Sequence, residues 1–379
     1  MTFKPFLIAV VTTEYHKNSH ADVIVSRWLE PRPTDALYGW TEPKTQIASF
    51  YVEQRVDGRD MSARLSEQFH VPRFPTVREA LSLGGASLAV DAVLLIGEHG
   101  DYPVNEFHQK LYPRKRLFDE IVAVFRESGR TVPVFFDKHF SWNAEWIREM
   151  YECIQRERVP FFGGSSTPYS PCIPALELSD APECEEVVAI YYNALEPYLF
   201  HSLEWVQSII ERRPGGETGV REIVAWKDDD LWNALDCGEF SWDLLVAAAC
   251  RVPPAGEAAI RELRANRAHA VYAFQLRYLD GLKVTHFMVT DVIKKWCLAV
   301  REASGRIQSA RLGTEGEEHF FPHFARFCCQ IEAFFLTGKA PISPERLYVT
   351  SMATALCMHA LAQEGKPLVT PELARPFPK

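Results

Sequence analysis

The stretch Phe6-Leu7-Ile8-Ala9-Val10-Val11, then Thr12-Thr13-Glu14-Tyr15-His16-Lys17-Asn18-Ser19, then His20–Glu30 (HADVIVSRWLE), decides the fold class. A short unbroken apolar run is the pattern of a strand covered on both faces. It ends in polar Thr12-Thr13-Glu14, so it reads as a buried strand and not as a leader peptide. The segment from His20 carries apolar residues at helical spacing, and Ser19 stands where an N-cap belongs. Strand, polar loop and helix together open a β-α-β alternation.

The alternation continues outward. Gln46–Val52 is a second strand. Met61–Phe69 is a helix with Asp60 as its cap, and Thr76 caps a short helix from Val77 to Leu83. Val90–Ile96 (VDAVLLI) is a third strand, nearly all apolar. Lys115–Ser128 reads as a helix, Val132–Phe136 as a strand, Ala144–Glu157 as a helix and Pro160–Gly163 as a short strand. Repeated units of this kind imply a parallel sheet, which binds ligands at the carboxyl ends of its strands. Polar runs stand at those ends: Thr12–His20, Glu53–Asp57, Glu98–Asn105 and Asp137–Trp142.

The second half has another rhythm. A helix spans about Leu199 to Glu211, and Pro214-Gly215-Gly216 breaks the chain. Val220–Trp226 reads as a strand and Asp228–Arg267 as mainly helical. Ala270–Tyr278 and Lys283–Thr290 form a hairpin around Asp280-Gly281, and Trp296–Arg301 with Ile307–Leu312 another around Ser304-Gly305. Helices at Phe320–Leu336 and Pro344–Ala362 finish the chain. The expected fold is therefore an α/β Rossmann-like parallel-sheet domain over residues 1–165. An α+β domain with a large, mostly antiparallel sheet follows over residues 166–379.

The 379 residues are 47% hydrophobic and 24% charged, which is globular composition. No apolar window reaches the length of a membrane helix. The net charge of −9 excludes a basic nucleic-acid footprint. The nine cysteines include no CxxC pair, so neither a disulfide framework nor a zinc ribbon is expected. A reducing cytoplasm is the expected location.

The order of these elements, with Leu65–Pro72 (LSEQFHVP), Asp91-Ala92-Val93, Asp137-Lys138-His139 and Ile331–Pro344 (IEAFFLTGKAPISP), resembles the Gfo/Idh/MocA family of sugar and cyclitol oxidoreductases. The resemblance covers nearly the whole chain. It implies a Rossmann domain, a C-terminal antiparallel sheet, a nicotinamide and a substrate held in a cleft between the domains, and a homo-oligomer. It places Lys138 at the family's active-site lysine, although Asp137-Lys138-His139 stands where the family has Glu-Lys-Pro. It places His201 at the substrate-facing histidine of the following helix, with Glu204 one turn on. Glu196 lies one step off the family's acidic position.

Two departures redirect the expected chemistry. The family carries a glycine-rich turn before its first helix. Aligned on His20, the three small-residue positions fall on Thr12, Glu14 and Lys17, and the loop contains no glycine. A side chain there crowds a pyrophosphate, and a carboxylate at Glu14 repels it. Glu53 remains the candidate ribose-binding acid. The second departure is Gly97–Glu106 (GEHGDYPVNE), where the family has a short apolar segment. Glu98, His99 and Asp101 are candidate ligands for a divalent metal, and His20 and Tyr102 are candidate substrate contacts. His319 and His323 stand at metal-ligand spacing on a helix, but a structural role is preferred. Arg212 and Arg213 read as a solvated face.

The sequence thus points first to an enzyme on a sugar- or polyol-type small molecule using acid/base or metal-assisted non-redox chemistry. Lys138, His201 and His139 would be its catalytic groups. The alternative is an NAD(P)-dependent oxidoreductase of sugars or cyclitols, with Lys17 and backbone amides replacing the glycine contacts. A binding protein without chemistry fits poorly, because so many ionisable groups are costly to bury without a use.

Overall fold

The computed structural model describes residues 5–179, 181–266, 269–289, 292–314 and 320–377. In chain order the elements are β1 (Phe6–Thr12), α1 (His20–Leu29), β2 (Thr45–Val52), α2 (Ser62–Phe69), α3 (Val77–Ser82), β3 (Ala92–Ile96), α4 (Arg114–Ser128), β4 (Val134–Asp137), α5 (Ala144–Glu157), β5 (Phe161–Gly164), β6 (Cys172–Ile173), β7 (Cys184–Tyr191), α6 (Leu195–Ile210), β8 (Val220–Lys227), α7 (Asp228–Asp236), α8 (Trp242–Ala249), α9 (Glu257–Ala265), β9 (Val271–Tyr278), β10 (Lys283–Val289), β11 (Cys297–Glu302), β12 (Ile307–Leu312), α10 (Pro322–Thr337), α11 (Pro344–Ala360) and β13 (Leu368–Val369).

The first compact unit holds Met1–Pro103, Lys110–Tyr169 and Thr314–Tyr348. Its sheet is parallel and five-stranded, in the order β2-β1-β3-β4-β5. The order reverses at β1, so the crevice for a ligand opens between the loops leaving β1 and β3. Ser19 caps α1 as its position suggests, accepting from Asp22 N, and Thr76 caps α3 by accepting from Glu79 N. One face of the sheet is closed by aromatic packing: Phe135, Phe162 and Phe327 meet edge to face at 5.2–5.7 Å. Phe327 lies on α10, so the first unit takes back a helix from far along the chain. Glu332 on that helix accepts from Lys44 N, Thr45 N and Thr45 Oγ1, pinning the start of β2.

The second unit holds Val104–Gln109, Ser170–Gly313 and Val349–Lys379. Its eight-stranded sheet runs β13-β8-β9-β10-β7-β11-β12-β6. Every pairing is antiparallel except β10 with β7. Trp232, Phe240, Leu244, Ile260 and Phe287 form its core with α7, α8 and α9. The expected single cut after residue 165 meets a more interleaved chain. Residues 104–109 join the second unit and residues 314–348 the first, because sheet faces are covered by whichever amphipathic segment reaches them.

All nine cysteines are free thiols. Among the described residues, no helix is long and apolar enough to cross a membrane.

Candidate active site

The site is built at the carboxyl ends of β1, β3 and β4. Three hydrogen bonds lock the first two loops together. Thr12 Oγ1 donates to Ile96 O at 2.9 Å, Thr13 N to the same carbonyl at 3.2 Å, and Thr13 Oγ1 to Glu98 O at 2.6 Å. Thr12 therefore spends its hydroxyl on the scaffold. Glu14 is 2% exposed and forms ion pairs with Arg59 and, at 3.5 Å, with His16. Tyr15 turns inward, sharing a hydrogen bond with Ser26 at 3.0 Å and packing edge-on against Phe50. Two amides leading into α1 are taken locally: Ser19 Oγ accepts from Asp22 N, and Asp22 Oδ2 accepts from Asn18 N at 2.8 Å.

The loops after β3 and β4 carry a buried charge network. Arg114, 1% exposed at the first position of α4, donates Nη2 to Glu98 Oε2 at 2.5 Å and Nε to Gly97 O at 2.8 Å. Gly97 makes that crossing possible, since a Cβ there would stand 2.6 Å from Arg114 Cγ. Lys138 Nζ lies 3.8 Å from the other Glu98 oxygen and is 2% exposed. Burial drives the Glu98 carboxyl upward, but the charges of Lys138 and Arg114 outweigh it and hold it well below the usual range. Lys138 and His99 both sit in the left-handed region, at φ 73 and 68. Strain of about 1–3 kcal/mol at non-glycine residues persists where structure enforces it, and it clusters at functional sites.

Two imidazoles near Lys138 differ in what remains available to them. His20 Nδ1 is 2.7 Å from Asp137 Oδ2, the arrangement of a base oriented by a carboxylate. His139 accepts from Arg114 Nη1 on Nε2 at 2.8 Å and donates from Nδ1 to Ser141 O at 3.0 Å. Both its ring nitrogens are engaged, and burial together with the Arg114 charge holds it neutral, well below the usual histidine range. The expectation that His139 transfers protons is therefore corrected: it is an acceptor that fixes Arg114.

The metal expectation is corrected as well. Among the described residues, no group of three or more His, Cys, Asp or Glu side chains is placed to hold a metal ion. The Glu98 oxygens face Arg114 and Lys138. Asp101 is exposed, and its amide donates to Gln54 Oε1 at 2.8 Å. His99 packs instead against His16 and His20, with ring centroids at 5.1 and 5.6 Å. Burial lowers its pKa to about 3. Tyr102 packs edge-on against Tyr112 at 5.5 Å.

In the second unit His201 lies on α6, 8% exposed, beside the stacked pair Tyr198 and Trp296. Glu204 is fully buried and accepts from Thr350 Oγ1 at 2.5 Å, so it ties α6 to α11.

No family model matches the sequence, and no curated protein sequence matches it. Solved structures do match. GenD2 from gentamicin A biosynthesis, solved in complex with NAD, is 12% identical, with a TM-score of 0.59 over 98% of this chain and 97% of that chain. Myo-inositol 2-dehydrogenase from Lactobacillus plantarum is 9% identical, with a TM-score of 0.59 over 97% and 99%. Biliverdin reductase from Synechocystis, solved with biliverdin and NADP+, is 12% identical, with a TM-score of 0.52 over 94% and 99%. The chain has the Gfo/Idh/MocA fold.

Within this Gfo/Idh/MocA fold the expected site residues divide into three groups. Lys138, Glu98, His20 and His99 are brought together at the sheet's carboxyl edge, with His139 behind them. Thr12 and Glu14 line the loops beside it and are already engaged, and Glu53 shares an ion pair with the exposed Arg116. His201 and Glu204 belong to the second unit. His323 is half-buried, with its pKa lowered to about 3 by desolvation, and its proposed companion His319 lies outside the described residues. Arg114 escaped the sequence reading altogether, because Arg114-Lys115-Arg116 looks like a solvated basic helix start.

A dinucleotide tests the β1 loop directly. The β1 loop contains no glycine, and the buried Glu14 carboxylate pairs with Arg59 and His16. The exposed rim of the same loops offers Lys17 and Arg59, cations that suit a pyrophosphate. The residues present fit the group through side chains, not through a glycine cradle.

Proposed function

We propose that the chain is an NAD(P)-dependent oxidoreductase acting on a hydroxyl-bearing small molecule of the sugar or cyclitol kind. The observation that carries this reading is Lys138: a buried, strained lysine at the carboxyl end of β4, beside an ionised Glu98. The likeness of fold to GenD2 solved with NAD and to a biliverdin reductase solved with NADP+ supports it. Lys17, Arg59 and His16 would hold the pyrophosphate, and Glu53 the ribose.

When bound, the nicotinamide supplies the hydride donor or acceptor. Lys138 gives a proton to the substrate oxygen as a carbonyl becomes a hydroxyl, and its neutral amine takes that proton back in the other direction. The His20–Asp137 pair is a second proton-handling group at the same edge. His201 is proposed as a substrate contact from the second unit. Homo-oligomerisation and a cytoplasmic location belong to the same reading, and light scattering on the purified protein checks the first.

One observation favours a second reading, non-redox acid/base chemistry by the same residues. It is the buried carboxylate of Glu14 in a β1 loop that contains no glycine. Turnover of inositols and aldoses with NAD or NADP, followed by nucleotide absorbance, separates the two. Hydride transfer to either nucleotide supports the first reading. Conversion of substrate with no change in the nucleotide supports the second.

A further inference from the structure

We propose that Arg114 is a positioning residue for Lys138, acting through Glu98 and His139. This rests on the reading that Lys138 handles the substrate proton. Arg114 reaches across two loops: Nη2 to Glu98 and Nε to Gly97 O beyond β3, and Nη1 to His139 beyond β4. It thus holds the turn carrying Lys138 at a fixed separation from the carboxylate that faces Lys138. Its own placement is locked by burial, by the Tyr112 ring 4.7 Å from its Cζ, and by a glycine at 97. The tautomer of His139 follows from the same clamp, because Ser141 O accepts and therefore requires a proton on Nδ1.

The clamp also divides one carboxylate between two cations. Glu98 gives one oxygen to Arg114 at 2.5 Å and the other to Lys138 at 3.8 Å. The shorter contact belongs to the residue that stays charged at all working pH. The charged or titratable groups near Lys138 include Glu98 and His99 from the β3 loop and Asp137 and His139 on its own segment, while Arg114 from α4 and His20 from α1 act on the same Glu98. Removing the Arg114 charge leaves Glu98 wholly to Lys138, so the Lys138 ammonium becomes harder to deprotonate. Neutralising Glu98 does the reverse.

The test is the pH titration of the Lys138 Cε resonance in protein labelled with 13C-lysine, assigned by its loss in Lys138→Arg. Arg114→Met should raise the Lys138 midpoint by about one pH unit, tenfold in the protonation equilibrium. Glu98→Gln should lower it. Arg114→Lys, which keeps the charge but cannot bridge both loops, should broaden the Lys138 resonance with a smaller shift of midpoint; it also stands in if the Met variant fails to fold. A midpoint and line width unchanged in a folded Arg114 variant would overturn the proposal. If Lys138→Ala kept full turnover while Arg114→Met still moved the midpoint, the role of Lys138 would fail and the clamp would stand.

Discussion

Asp137 Oδ2 lies 2.7 Å from His20 Nδ1, although 117 positions separate the two residues. Asp137 closes β4 and is 1% exposed, and His20 opens α1. The carboxylate fixes the ring orientation and favours a proton on Nδ1. Asp137→Asn preserves shape but reverses that preference. It should lower kcat by about 100-fold, the lower end of general acid–base contributions, with nucleotide affinity unchanged. Steady-state kinetics with parallel calorimetry checks this. A kcat within twofold of the parent would remove the pair from the chemistry.

Lys138→Ala should abolish turnover by at least about 100-fold and leave the fold and nucleotide binding intact. The same measurements on His201→Ala should show a raised KM, since it is proposed as a substrate contact. Unchanged kinetics in both variants would contradict the site.

Glu14 is the side chain that opposes a pyrophosphate most directly. Like charges about 4 Å apart cost about 1–4 kcal/mol across effective dielectric constants from 80 down to 20. Glu14→Gln removes that charge and frees Arg59. NADH should bind about tenfold tighter or better, read by fluorescence titration. Equal affinity would place the pyrophosphate away from this loop.

Desolvation holds His99, His139, His286 and His323 in neutral form. Burial lowers His99, His286 and His323 to about 3 each, and burial with the Arg114 charge holds His139 well below its usual range. The unfolded chain takes up those protons near pH ~6.5, the native state only far lower. Their contribution to stability is therefore complete above about pH 6.5 and falls as the solution is acidified, by about 1.4 kcal/mol per pH unit for each ring. Glu98, also depressed, adds to the loss below the ordinary carboxylate range. Calorimetric Tm should drop steadily from pH 7 to pH 5. A flat Tm across that window would contradict the burial of these rings.

The first sheet was legible because its signals are local: apolar runs, N-caps at Ser19 and Thr76, and helical spacing. β7 was not read, although it lies inside the second sheet. Its acidic start, Cys184-Glu185-Glu186, hides the apolar Val187–Tyr191, and the cations opposite Glu186, Lys283 and Arg301, lie about a hundred positions further on. The return of α10 to the first unit was hidden for the same reason, since an amphipathic helix does not state which sheet it covers. At the site, Lys138 was found from its place in the family order, and Glu98 and His99 from the polar run after β3. Their roles were misjudged, as metal ligands and as a proton-transferring His139, because Arg114 neutralises Glu98 and occupies His139. Only the folded chain shows that guanidinium buried.

The most direct test is calorimetric titration of the purified protein with NADH and with NADPH. The account predicts saturable binding of one of them at one molecule per chain, weakened by Lys17→Ala and strengthened by Glu14→Gln. No heat and no saturation with either nucleotide at millimolar concentration would contradict the proposed oxidoreductase. It would leave Lys138, Glu98, His20 and Asp137 as a site for chemistry without hydride.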